Sequence, residues 1–516
     1  MADHETDYLI IGAGAVGLAF ADALLDEDPD CHITFVDRHA KPGGHWNDAY
    51  SFVALHQPSA FYGVNSLAFP GEQIDAHGPN KGLYALASGT EVSAYFEKVM
   101  NLRLLPSGRV AYHRLAEFKG RDADGTARIE GVLSGAETKI RVRRKLVDAT
   151  FYQTSVPSTH KRAFAVDEGV RVAIPGELPE LWKSSSSIPQ SFVILGGGKT
   201  AMDVGVWLLE AGVDPERIHW VRPRDSWLNN RKYVQPGEDF IEAVIENQIA
   251  HLEAFAKSQT GEEVFEHLGA GGYMLRIDPD VTPEMFHYAV ISEGEIALLR
   301  RITQVIRKGR VTRITKGNLH FSEVLHPVPE DALFIDCTAR AVPFSTQDNA
   351  GPQFRGDTIV LQPVTVPLVT LSAALTAFLE AHWDDDATKN QLAGSAPLTD
   401  TPGTYPYAFM MNLMNRGTWS NTPEISAWLA KSRLDPTGPT ITRMIAGGDP
   451  RLAVLGGFRE AVKAAMPDVI RLGMAAKVLH ETGQGASAPP RIDAELRRAV
   501  RIGHLRYWER KACALR

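Results

Sequence analysis

Two stretches of this chain place glycines where a phosphate group could touch bare backbone. In the first, Asp7–Tyr8–Leu9–Ile10–Ile11 leads into Gly12–Ala13–Gly14–Ala15–Val16–Gly17. In the second, Ser191–Phe192–Val193–Ile194–Leu195 leads into Gly196–Gly197–Gly198–Lys199–Thr200–Ala201. The apolar, β-branched run predicts a buried parallel strand. The first glycine allows a tight turn off it, the second admits a pyrophosphate, and the third position lets the following helix pack close to the sheet. The phosphates then meet free N–H groups at the positive end of that helix. One such fingerprint indicates one bound nucleotide. Two in one chain indicate two nucleotide cofactors that pass electrons between them.

The strands that follow separate the two sites. After the first fingerprint, Cys31–His32–Ile33–Thr34–Phe35–Val36 ends in Asp37, an acid placed to bind the hydroxyls of an adenosine ribose. After the second, Ile218–His219–Trp220–Val221 ends in Arg222–Pro223–Arg224. Arginine offers a planar, permanently charged fork that suits a phosphate, where an acid would repel the 2′-phosphate. The expectation is FAD at the first site and NADPH at the second, with Lys199 and Thr200 meeting the NADPH pyrophosphate or ribose. Ala201 stands where the third glycine would be.

Shortly after Asp37 comes Arg38–His39–Ala40–Lys41–Pro42–Gly43–Gly44–His45–Trp46. This G-G-x-W element, the two fingerprints and the small-residue crossings Asp148–Ala149–Thr150 and Asp336–Cys337–Thr338 occur in the order that resembles the class B flavin-dependent monooxygenases. These include the flavin-containing, Baeyer–Villiger and N-hydroxylating enzymes. The resemblance covers residues 5–385. It implies that Gly12, Gly14, Ala15, Gly17, Asp37, Arg38, Gly44, His45 and Trp46 contact FAD. It implies that Gly196, Gly198, Lys199, Thr200, Arg222, Arg224 and Asp336 serve the nicotinamide nucleotide and the crossing. The stretch Leu55–Ser66 would line the reactive face of the flavin, so His45, Trp46, His56, Gln57 and Asn65 are the candidate catalytic residues. Gln57 and Asn65 both remain candidates for the amide beside the flavin C4a. The family's linker signature is half present: His160 and Phe164 match, while Thr154 and Val156 replace its phenylalanine and glycine.

The activity implied is reduction of FAD by NADPH, uptake of O₂ at C4a, and oxygenation of a small organic substrate at nitrogen, sulfur or a carbonyl. Two other readings stay open. One is a reductase or dehydrogenase that inserts no oxygen; the other is a flavin-binding sensor without redox turnover. With 3 cysteines, Cys31, Cys337 and Cys513, and no close pair, a C-x-x-C redox centre is excluded, and no metal site is expected. Trp46, Phe61, Tyr62 and the cluster Tyr407, Phe409, Met410, Met411 and Met414 are expected near the flavin.

These residues need a scaffold. At 516 residues the chain is too long for one core and suits two or three domains. The net charge of −8 gives no basic field for nucleic acid or an acidic membrane. No apolar run is long enough to span a bilayer, the start leads almost directly into the first strand, and the cysteine usage suits a reducing cytoplasm. The expected fold is α/β, with two Rossmann-like domains and a mostly helical C-terminal extension. The FAD domain would comprise residues 1–155 and 320–390, with an antiparallel meander over Val110–Leu146. The NADPH domain would span 156–319, with a helical insertion over 235–305. The helical region would span 391–516, after a linker at Gly394–Tyr405. Helices are expected at Val16–Leu25, Asp239–Lys257, Ser292–Lys308, from Leu368, and at Glu424–Lys431, Ala453–Ala465, Asp468–Glu481 and Ala494–Ala514. The insertion and the C-terminal helices offer surface for a homodimer.

Overall fold

In the computed structural model, both fingerprints form the same strand–turn–helix unit. The structure describes residues 3–70, 73–183, 188–340 and 350–483. The helix expected at Ala494–Ala514 lies outside them.

The first unit is built on strand His4–Ile11, whose Tyr8–Ile10 stretch is buried. Parallel strands flank it in the order Val110–Arg114, Ile33–Asp37, His4–Ile11, Glu137–Asp148, Thr358–Val360. The antiparallel meander starts at Ala116 rather than Val110, because Val110–Arg114 supplies the third parallel strand. Helix Ala15–Glu27 follows the fingerprint, buried over most of its surface and packed on helix Val369–His382.

The second unit repeats the plan with strands Gln304–Ile306, Ile218–Val221, Phe192–Leu195, Leu333–Asp336 and Val172–Ala173, all parallel. Leu333–Asp336 pairs residue for residue with Phe192–Leu195, so this unit runs to the crossing at Asp336 rather than ending at 319. The first unit resumes with Phe354–Arg355 and Thr358–Val360.

The helix expected over Ser292–Lys308 stops at Leu299. Ser292 and Glu295 start it with a reciprocal capping box, but Val305 and Ile306 pair with Trp220 and Val221 as an edge strand. The insertion is also not purely helical. Strands Ser226–Asn230, Met274–Leu275 and Met285–Ile291 form a small sheet beside helices Ile241–Lys257 and Gly261–Ala270.

In the C-terminal region the two helices expected on either side of Pro467 are one helix, Val454–Thr482. Pro467 is exposed, and Phe458, Val462, Ala465, Val469 and Leu472 lie buried in a single core on both sides of it. That shared burial outweighs the lost backbone bond. The same core takes Ile245, Leu252 and Phe255 of the insertion, and Tyr405 and Met410 of helix Tyr405–Asn421. The expected linker is a packed seam: Thr399 accepts or donates at the Tyr288 hydroxyl (2.7 Å), and the Asp400 carbonyl accepts from Phe286 N–H at 2.9 Å.

Candidate functional site

At the first fingerprint the backbone itself makes the cradle. Gly12 has φ +100°, and a β-carbon there would press on Thr150 of the first crossing. A β-carbon on Gly17 would lie 2.2 Å from the Gly12 carbonyl oxygen, so only glycine fits. Gly14 faces nothing but the backbone of Gly44, at 3.6 Å. The G-G-x-W segment therefore roofs the fingerprint, held by Gly43 N–H donating to the Ala13 carbonyl at 2.8 Å. The helix above has no side-chain cap and no acid in its first turn, which leaves its positive end for an anion. The free N–H donors at this helix start fit a pyrophosphate.

Asp37 is buried and already engaged. It accepts from Ala13 N–H at 2.6 Å, and from His39 N–H and Nδ1 at 2.7 and 2.9 Å. His39 reaches Asp48 with its other nitrogen at 2.8 Å, and its two carboxylate partners, Asp37 first, raise its pKa. A ribose would share Asp37 with this network. Arg38 is exposed at the rim.

The second fingerprint has the same outline. Gly196 has φ +127°, and a β-carbon there would meet the Cys337 carbonyl oxygen at 2.7 Å. Gly198 faces open space, and helix Lys199–Glu210 again lacks a side-chain cap. The two crossings also match. Asp148 Oδ1 accepts from the N–H and hydroxyl of Thr150 at 2.8 and 2.6 Å. Asp336 Oδ1 accepts from the same groups of Thr338 at 3.1 and 2.6 Å. The half-present linker signature docks here: Arg162 donates to Asp336 at 3.2 Å, and His160 lies 3.3 Å from the Thr338 hydroxyl.

The two arginines expected at the 2′-phosphate sit differently. Arg224 is exposed at the strand end. Arg222 is buried over the Trp220 ring and belongs to a ring of charges. Its Nε lies 3.0 Å from Asp225, whose other oxygen accepts from Arg307, which in turn reaches Asp278 at 2.7 Å.

The segment after G-G-x-W crosses from one unit to the other. Tyr50 donates to Asp203 at 2.7 Å, and Phe52 stacks on Trp207 with ring centroids 4.9 Å apart. Both partners lie on the second fingerprint's helix. Asp203 also pairs with Lys199, whose ammonium lies 4.0 Å from Glu295. Glu295 faces the fully buried Arg231 at 3.0 Å. Three guanidinium nitrogens of Arg231 have no hydrogen-bond partner. His56 lies within the field of this cluster, and its burial, with Lys199 next, pushes its pKa down to about 4. Burial likewise holds His45 at about 4. Both imidazoles are neutral at physiological pH. Arg231 and Glu295 carry no sequence motif, being isolated charges far apart in the chain.

His45 stacks on Trp46, and Trp46 donates its indole N–H to the Tyr62 hydroxyl at 2.9 Å. Among the described residues no hydrogen bond reaches the side chains of His45, His56 or Gln57, so all three are free to meet a ligand. Asn65 differs: its Oδ1 accepts from Ser432 at 3.0 Å. The cluster Tyr407–Met414 lies on helix Tyr405–Asn421, with Met410 buried in the core shared with the insertion and Phe409 stacked on Phe255 and His251.

Residues 10–68 match the model of an NAD(P)-binding Rossmann-like domain. The uncharacterized protein Rv2000 of Mycobacterium tuberculosis is 41% identical over 431 residues, spanning 84% of this chain and 78% of that one. The chain belongs to the family of that protein. An FAD-dependent monooxygenase of Aspergillus sclerotiorum, resA, is 26% identical over 223 residues, 42% of this chain and 36% of its own. The polycyclic ketone monooxygenase of Thermothelomyces thermophila superposes over 98% of this chain and 89% of its own, with 13% identity and a TM-score of 0.46. Among the described residues no helix is long and apolar enough to cross a membrane, and no group of three or more His, Cys, Asp or Glu side chains is placed to hold a metal.

Proposed function

We propose that this protein is a flavin- and nicotinamide-dependent monooxygenase, with FAD at the first fingerprint, NADPH at the second, and a small organic substrate oxygenated between them. The observation that carries the reading is the segment Tyr50–Gln57. It follows the G-G-x-W roof of the first cradle in the chain, and its Tyr50 and Phe52 reach Asp203 and Trp207 on the second cradle's helix, so one short piece of chain joins the two units. The resemblance of the motifs to class B monooxygenases supports it.

FAD, when bound, supplies the redox chemistry: it takes a hydride and passes electrons to O₂. The chain's own residues bind, orient and exclude water. Gly14 and Gly44 let a pyrophosphate reach the helix N-terminus. His45 and His56, neutral at Nδ1 or Nε2, give one donor and one acceptor each without adding charge. Gln57, free of internal partners, presents an amide to whatever enters. Lys199 has to exchange Asp203 for a nucleotide phosphate. The aromatic pair Trp46 and Tyr62 favours an apolar substrate.

The test is anaerobic mixing of the purified flavoprotein with NADPH, followed by O₂ and a panel of amines, thioethers and ketones. The expected result is rapid bleaching of the flavin, then an oxygenated product coupled to NADPH consumption. Bleaching followed only by hydrogen peroxide across the panel would favour the reductase. No bleaching would remove the redox reading altogether.

A further inference from the structure

Behind the segment Ser59–Asn65 sits a cation from far along the chain. Arg433 Nη1 donates to the Val64 carbonyl at 2.5 Å. Its Nη2 donates to the carbonyls of Tyr62, Ala60 and Ser59 at 2.8, 2.9 and 3.2 Å. The neighbouring Ser432 donates to Asn65 Oδ1 at 3.0 Å. Among the described residues Arg433 has no carboxylate partner, so its donors are spent on gathering one turn of backbone. A planar fork suits carbonyls spread over six residues, whereas an ammonium on a flexible stem does not. Beside the guanidinium, the Tyr95 hydroxyl accepts from Val64 N–H at 2.9 Å and donates to the Leu67 carbonyl at 2.7 Å. Gly63 is forced to φ +94° against that ring.

The same C-terminal region grips a second loop of the first unit. The Asn412 side chain accepts from Val366 N–H and donates to its carbonyl, both at 2.9 Å. Asn415 donates to the Val364 carbonyl at 2.7 Å. That loop feeds helix Val369–His382, which packs on the first fingerprint's helix.

We infer that Arg433, aided by Ser432, is a positioning residue for the segment Ser59–Asn65, and that the C-terminal region is a working part of the first nucleotide site. The consequence for flavin rests on the function proposed above; the consequence for the segment does not.

The experiment uses full-length Arg433→Met, Arg433→Lys and Ser432→Ala. Amide hydrogen exchange over residues 59–67 is followed in flavin-free protein, and FAD affinity by quenching of flavin fluorescence. Arg433→Met is expected to speed exchange in 59–67 by about 10- to 100-fold and to raise the FAD Kd at least about tenfold. Protection of strand Phe192–Leu195 should not change. Arg433→Lys should fall between, and Ser432→Ala should show a rise of about fivefold. If Arg433→Met does not fold, the lysine and Ser432 variants decide by the same readouts. Wild-type exchange over 59–67 together with an FAD Kd within about twofold of wild type in a folded variant would overturn the inference. A wild-type protein that binds no FAD would remove the flavin reading, and the exchange data would still decide the role of Arg433.

Discussion

At the first fingerprint a β-carbon in the third position would lie 2.2 Å from a carbonyl oxygen, whereas at the second the same position is Ala201, fully buried and accommodated. The two units share strand order, turn, uncapped helix and Asp–x–Thr crossing, so this contrast isolates what each cradle is asked to hold. The first helix lies hard against its sheet, with the second backbone layer of Gly43–Gly44 closing over Gly14. The second helix accepts a methyl at this position, leaves Gly198 open, and starts with Lys199, which pairs with Asp203 one turn on.

The largest effect expected from that contrast comes from exchanging the third-position residues. Gly17→Ala has nowhere to put its methyl, since the obstacle is backbone, and should cost at least about 3 kcal/mol with loss of bound flavin. Ala201→Gly removes a methyl the second unit accepts and should cost about 1 kcal/mol. Urea unfolding of both variants, with flavin content after purification, checks this. A Gly17→Ala protein as stable as wild type would break the comparison at its root.

A smaller, sharper effect separates the two arginines of the second site. Arg222→Ala leaves Asp225 buried beside half of a charge ring and should cost about 3 kcal/mol in stability. It should leave the KM for NADPH of the folded fraction unchanged. Arg224→Ala should do the reverse. It should keep the fold, raise the KM for NADPH about tenfold, and leave NADH use as it was. Equal losses with both nucleotides would mean that Arg224 does not read a 2′-phosphate.

The sequence made the two cradles legible because glycine at fixed spacing after an apolar strand has few other uses. Asp37, Gly43–Gly44 and both Asp–x–Thr crossings are local signals too: Asp37 ends its strand, Gly44 packs on Gly14, and each crossing aspartate bonds the threonine two residues on. Burial of Arg222 was not legible, since its strand position is the same as that of a ligand-facing arginine; only Asp225, Asp278 and Arg307, brought in by folding, make the difference. The apolar spacing of Gln304–Ile306 fits a helix as well as a strand, and the sheet edge beside Trp220 settles it. Arg433 was invisible for the strongest reason: its partners are backbone carbonyls some 370 positions away, which carry no side-chain pattern.

The smallest effect concerns three histidines that bracket the two cradles with opposite sign. His39, between Asp37 and Asp48, has a raised pKa. It binds its proton more tightly folded than unfolded, so it stabilises fully below the ordinary histidine value of about 6.5, and this contribution is lost as pH rises through its folded value. His45 and His56, held at about 4, behave the other way. Their unfolded forms take up protons between pH 6.5 and 4 while the folded forms do not. Their contribution is therefore present above about 6.5 and falls away as the solution is acidified. His56→Asn should flatten the loss of stability between pH 7 and pH 4.5 by on the order of 1 kcal/mol after allowing for solvent screening. His39→Asn should weaken the protein most at the acid end and less at pH 8. Unfolding curves at these pH values for both variants and wild type test the pair together. Parallel curves for His56→Asn and wild type would show that its imidazole is as well solvated folded as unfolded.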